Sequence, residues 1–108
     1  MAGKEVTVVD AQQDFDINQD VNASSYTSNQ TELRVGKELS YGLSGAGGFT
    51  LTVKWVNGLG TVLFTETDSS SDGSAISGNF SKKSDNVIIE ITDDSGATNT
   101  VQGTVNIH

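Results

Sequence analysis

Cysteine is absent from this chain, and so is proline. Without cysteine there is no disulfide and no thiolate ligand for a metal, so the domain is held by its core, its neighbours or a bound ion. Without proline no strand is interrupted by a missing backbone donor. Positive charge is scarce as well: Lys and Arg number 6 against 14 Asp and Glu, for a net charge of −8. Phosphate neutralisation needs clustered cations, which removes nucleic acid from the expected partners and disfavours anionic membrane surfaces. No apolar run reaches the ~20 residues of a membrane span. The opening Met-Ala-Gly-Lys-Glu-Val lacks the apolar centre of a signal peptide. Cytoplasmic synthesis without membrane insertion is therefore expected. Histidine occurs once, as His108. With no internal histidine and no thiol, the usual nucleophile and base pairs cannot be assembled, and no catalytic residue, hence no enzyme, is expected.

What is present is alternation. The 108 residues suit one domain, read as a single β-sandwich over 13–108 with residues 1–12 as an N-terminal arm or first strand. Apolar side chains recur at every second position, the period of a half-buried strand: Val6 and Val8; Phe15, Ile17 and Val21; Leu33 and Val35; Leu39, Tyr41 and Leu43. Phe49, Leu51, Val53 and Trp55 then share one face, and Asn57-Gly58 follows as a tight hairpin signal. Val62 and Phe64 return in phase, and the polar stretch Asp68 to Ser74 reads as a surface loop. Ile76 and Phe80 flank Gly78, a candidate bulge; Val87, Ile89 and Ile91 make a strong strand; Val101, Val105 and Ile107 close the chain. Eight or nine short strands with Gly, Asn, Asp and Ser turns predict an all-β, antiparallel two-sheet sandwich. Its expected core is Phe15, Ile17, Phe49, Leu51, Val53, Trp55, Phe64, Phe80, Val87, Ile89, Ile91, Val101 and Val105.

The run Val87-Ile-Ile-Glu-Ile-Thr-Asp-Asp-Ser-Gly-Ala-Thr-Asn-Thr-Val101 resembles the closing hairpin of bacterial and phage immunoglobulin-like domains. Gly48-Phe-Thr-Leu-Thr-Val-Lys-Trp55 is similar to an inner strand ending on their core tryptophan. The disulfide pair and the corner tyrosine of antibody-type domains are missing, so an immunoglobulin-like fold and a jelly roll both stay open. The resemblance implies a display or assembly role, because such domains decorate phage particles and bacterial surface proteins.

Two acidic groups are candidate cation ligands. Asp14, Asp16 and Asp20 alternate with apolar residues, which spreads them along one strand face, whereas calcium needs six or more oxygens converging on one point. Asp68, Asp72, Asp93 and Asp94 fall in expected loops, where Asp serves turn geometry on backbone grounds alone. No cofactor is expected; if calcium binds, these are its ligands. The chain is thus read as a non-enzymatic structural protein, a phage or virus particle component such as a capsid decoration or fibre protein. It acts at the virion or cell surface as a homo-oligomer or beside other surface proteins. The alternative is a carbohydrate- or protein-binding module of a bacterial surface or secreted system. Trp55 is in phase with the core, and Tyr26 and Tyr41 alone do not make a sugar-stacking platform.

Overall fold

The computed structural model describes the backbone of residues 6–9, 13–20, 26–28, 30–33, 37–95 and 99–108, and the side chains of 27–28, 30–32, 37–95 and 99–108. Among the described residues there are ten strands: β1 (Val6–Val9), β2 (Gln13–Asp20), β3 (Tyr26–Thr27), β4 (Gln30–Leu33), β5 (Glu38–Gly45), β6 (Phe49–Val56), β7 (Val62–Ser70), β8 (Ile76–Ser81), β9 (Asn86–Asp93) and β10 (Thr100–Ile107). One sheet runs β1-β4-β9-β6-β7, with the short β3 also on β9; the other runs β2-β10-β5-β8. All ladders are antiparallel except β1 on β4. The N-terminal segment therefore contributes a strand, and the count exceeds the expected eight or nine through β3, which is too short to show a period; the strand expected at Leu33 and Val35 is β4, which ends at Leu33. No helix among the described residues is long and apolar enough to cross a membrane.

The pairing has a simple logic. β6 pairs with β7, β5 with β8, β4 with β9 and β2 with β10. The chain is thus one long antiparallel ribbon with its tip at the β6–β7 turn. The ribbon wraps into two sheets, and the wrap is sealed where β10 joins β5 and β9 joins β6. That is the connectivity of a jelly roll, two Greek keys packed face to face. The closing hairpin implied by the immunoglobulin resemblance is not formed: β9 and β10 lie in different sheets. Each of these strands has one apolar face, and crossing over lets both faces meet across one core.

That core holds Leu39, Tyr41 and Leu43 of β5, Phe49, Leu51, Val53 and Trp55 of β6, Val87, Ile89 and Ile91 of β9, and Val101, Val105 and Ile107 of β10. Ile76 and Phe80 pack at its margin, half-buried. β2 brings Phe15 into register with Val105 and Ile17 with Gly103, but the side chains of Phe15 and Ile17 lie outside the described residues, as do Val21 and Val35 altogether. Phe64, expected in the core, is 51% exposed. The β6–β7 ladder shifts register between Trp55 and Val56, so Phe64 opposes Trp55 while Val62 opposes Val56. Leu63 is the extra residue of a bulge, which breaks the phase assumed for Val62 and Phe64. Phe64 also sits on the last strand of its sheet, near the turn.

Three more local expectations change. Asp68 to Ser70 belongs to a strand, because Phe49, Thr50 and Leu51 pair with it and a central strand overrides poor strand propensity. Gly78 marks no bulge: the β5–β8 ladder is continuous, and a Cβ on Gly78 would sit 2.7 Å from the Tyr41 hydroxyl, so glycine makes room for a ring that stacks on Phe80 at 5.3 Å. The hairpin turn is longer than Asn57-Gly58. Asn57 Oδ1 accepts from the amides of Leu59 (2.9 Å) and Thr61 (3.0 Å), and Gly60, at φ 85°, takes the left-handed position.

Candidate functional site

β7 ends its sheet, and its two halves differ in chemistry. Towards the loop after it, Glu66 and Asp68 point at the core margin. The Trp55 indole N–H donates to Glu66 Oε1 at 2.8 Å, Lys83 Nζ stands 3.8 Å from the same oxygen, and the Tyr41 hydroxyl donates to Asp68 Oδ2 at 2.6 Å. Inward carboxylates on an edge strand discourage another strand from adding there, and these two also satisfy the polar tips of core aromatics. Towards the hairpin, the same strand carries Val62, Leu63 and Phe64 at 47%, 49% and 51% exposure, with Leu59 at 75% on the turn. Every exposed large hydrophobic side chain among the described residues lies in this one patch.

Burial, then the hydrogen bond to Asp68 and its charge, push the Tyr41 hydroxyl up to about 12 from an ordinary 10.0. The fold favours the protonated phenol, so this contribution to stability is complete below pH 10 and is lost as pH rises through about 12. In a Tyr26→Phe background, tyrosinate absorbance should rise at a pH well above 10, and Asp68→Asn should move that rise part of the way back. An unmoved midpoint would show that Asp68 does not hold the proton.

The predicted loop carboxylates are each engaged locally. Asp68 accepts from Tyr41. Asp72 accepts from the Ser74 amide at 2.9 Å, and hydrogen bonds from Ser74, side chain and then backbone, hold its carboxyl below the usual range. Asp93 Oδ1 accepts from the Ser95 amide (2.9 Å), the Ser95 hydroxyl (2.6 Å) and Asn99 Nδ2 (3.2 Å), and Asp94 accepts from Thr50 Oγ1. Among the described residues no three acidic or histidine side chains converge as metal ligands. Asp14, Asp16 and Asp20 are in register with Asn106, Thr104 and Thr100 of β10, and their side chains lie outside the described residues. Millimolar calcium is accordingly expected to leave the melting temperature of the wild type unchanged. A clear rise, lost in Asp14→Asn/Asp16→Asn, would place a site on β2 instead.

Two arrangements escaped the sequence reading. Asn99 is fully buried at one end of the sandwich, where its Oδ1 accepts from the Gly47 amide (3.0 Å) and its Nδ2 donates to the carbonyls of Gly47 (2.9 Å) and Gly48 (3.0 Å). A lone Asn beyond a turn gives no sequence signal of such a role. On the outer face of the other sheet, Ser40 Oγ lies 2.6 Å from both His108 Nε2 and Asn79 Oδ1. This serine and histidine meet on an exposed sheet face, where β5 is paired on both sides with β8 and β10, so its backbone amides are not gathered into an oxyanion hole. Nearby, a shallow depression of about 530 Å³ opens over Gly42, bordered by Ser44, Ser77 and Gln102.

Comparison of the chain with protein-family models, curated proteins and solved structures finds no match. The chain's most conspicuous surface feature is the Leu59 to Phe64 patch, whose sequence signal is the apolar triplet Val62-Leu63-Phe64, a break in alternation that Val87-Ile88-Ile89 shares.

Proposed function

We propose that this protein is a non-enzymatic structural component of a phage or virus particle, such as a capsid decoration or fibre protein, that docks through the hairpin end of its jelly roll. The observation that carries this reading is the concentration of all described exposed large hydrophobic side chains on that one end of a domain of net charge −8. An acidic shell keeps copies apart in solution, and a single apolar end gives a defined contact. The architecture supports the reading by analogy, since jelly rolls recur in capsid and lectin domains. The test is location. Antibodies raised against the chain should label intact particles released from its host, and the chain should co-sediment with them through a density gradient. Recovery from the soluble fraction alone would overturn the reading.

The second reading, a carbohydrate- or protein-binding module, is favoured by the depression over Gly42, where Ser44, Ser77 and Gln102 offer hydrogen-bonding groups. Among the described residues no aromatic platform accompanies it: Tyr41, Phe49 and Trp55 are buried. Retention on a glycan array that Gln102→Ala abolishes would favour this second reading.

A further inference from the structure

We infer that the outer edge of β8, from Ser77 to Ser81, pairs antiparallel with the same edge of a second copy of this chain, about a two-fold axis at Asn79. This surface is separate from the hairpin end, and the inference stands whether or not that end docks on a particle. β8 is the last strand of its sheet, and its ladder to β5 runs without a break. The phase of that ladder is set just beyond its end, where the Lys82 amide donates to the Lys37 carbonyl at 2.8 Å. In an antiparallel pair every second residue bonds the neighbour. Phe80, Gly78 and Ile76 therefore bond Leu39, Tyr41 and Leu43, and the N–H and C=O groups of Ser77, Asn79 and Ser81 point away from β5. The other side of β5 agrees, since Glu38 and His108 bond each other in both directions. Among the described residues nothing bonds to the outward groups of Ser77, Asn79 and Ser81.

This edge also lacks the usual guards, having no bulge, no proline and no charged side chain. The far edge strand of the same sheet, β2, carries Asp14, Asp16 and Asp20. For two copies of net charge −8, an edge without carboxylates is where backbones can approach. The segment Ser77-Gly-Asn-Phe-Ser81 fits itself. With Asn79 on the axis, Ser77 opposes Ser81 and Gly78 opposes Phe80, and the outward groups of all three polar residues find partners in both copies. A slip of two residues in either direction sets one of the three against a residue outside β8. The half-buried Phe80 then lies across from a residue without a side chain and is covered. Charge selects the direction. Asp72 lies in the loop before β8, and Lys82 and Lys83 follow it, so antiparallel strands bring each lysine pair towards the other copy's Asp72. Lys82 and Lys83 already bridge to Asp85 and Glu66, which leaves the backbone to supply the contact. A two-fold contact ends at two copies.

The test uses the full chain in sedimentation velocity over a wide concentration range, where the wild type is expected to dimerise. Asn79→Pro removes an outward N–H from an edge, a place where proline is tolerated. It should weaken dimerisation about tenfold or more, with Trp55 fluorescence and circular dichroism unchanged. Leu63→Lys, at the hairpin end, should not weaken it. Hydrogen exchange gives a second readout: the amides of Ser77, Asn79 and Ser81 should become protected as concentration rises, while Gly78 and Phe80 are protected throughout. Because the chain has no cysteine, Asn79→Cys gives a third that does not depend on the proline variant folding. Hydrogen-bonded strand pairs lie ~5.5 Å apart, within disulfide reach, so brief oxidation should link this variant into a dimer and leave Thr67→Cys, on the opposite sheet's edge, a monomer. A wild type that is monomeric throughout overturns the inference. So does a dimer that Asn79→Cys fails to capture, and in that case the hairpin contact proposed above is untouched.

Discussion

Gly103→Ala is expected to lower the stability of the domain by about 4 kcal/mol, from backbone strain and overpacking that each cost ~1–3 kcal/mol. Gly103 lies in the middle of β10 at φ 136°, a conformation open to glycine and hostile to any residue with a Cβ. A Cβ built there would overlap the carbonyl oxygen of Gly42 and press on Leu43 Cα, both backbone atoms of β5 that cannot swing aside. β10 is hydrogen-bonded to β2 on one side and to β5 on the other, so a local shift would disturb two ladders. Thermal unfolding followed by circular dichroism should show a fall in Tm of roughly 15–25 °C for a chain of this size. Gly42→Ala is the matched control. Gly42 stands directly across the ladder from Thr104, and a Cβ there meets nothing within 4 Å. Its expected effect is within about 0.5 kcal/mol. If both substitutions are equally mild, the unusual conformation of Gly103 is not a requirement of the fold.

Asn99→Ala should cost about 3 kcal/mol, since buried groups left without partners each forfeit ~1–3 kcal/mol. Asn99 is wholly buried and ties the Gly47–Gly48 turn between β5 and β6 to the start of β10. Removing it strands the Gly47 amide and carbonyl at the end of the core, while the Gly48 carbonyl keeps only the Asp94 amide at 2.9 Å. Asn99→Asp separates hydrogen bonding from packing. It keeps the shape and one acceptor but loses the amide donors, and it sets a second carboxylate near Asp93, whose Oδ1 is 3.2 Å from Asn99 Nδ2. Chemical denaturation should therefore place Asn99→Asp at least as low as Asn99→Ala at neutral pH, with part of the loss recovered on acidification. Equal stability of wild type and Asn99→Asp would mean that the Gly47 carbonyl finds another donor and that the Asp94 amide suffices for Gly48.

The strands were legible because burial imposes a period of two. Phe49 to Trp55, Val87 to Ile91 and Leu39 to Leu43 face the core as alternation requires. What was not legible is long-range. Nothing local in Val87 to Val101 distinguishes a hairpin from a crossover between sheets, because the same turn residues serve both. The bulge at Leu63 is equally silent: it depends on how β6 and β7 meet, and it puts Val62 out of phase, while Phe64 keeps its register opposite Trp55 and is exposed at the edge of the sheet. Asp68 reads as loop by composition and is strand by pairing. Of the candidate site, only the broken alternation at Val62-Leu63-Phe64 was on view, and its exposure followed only once β7 was seen to end a sheet.

The wrapped ribbon has a consequence for the order in which the sandwich can close. β10 comes last among the described strands, yet it lies between β2 and β5 and, among the described residues, is the only strand that joins them. Until β10 pairs, β2 and β5 have no common partner, and the core faces of β6 and β9 lack Val101, Val105 and Ile107. Closure is therefore a late, non-local step, and the open species that precedes it is the one most exposed to aggregation or to a chaperone.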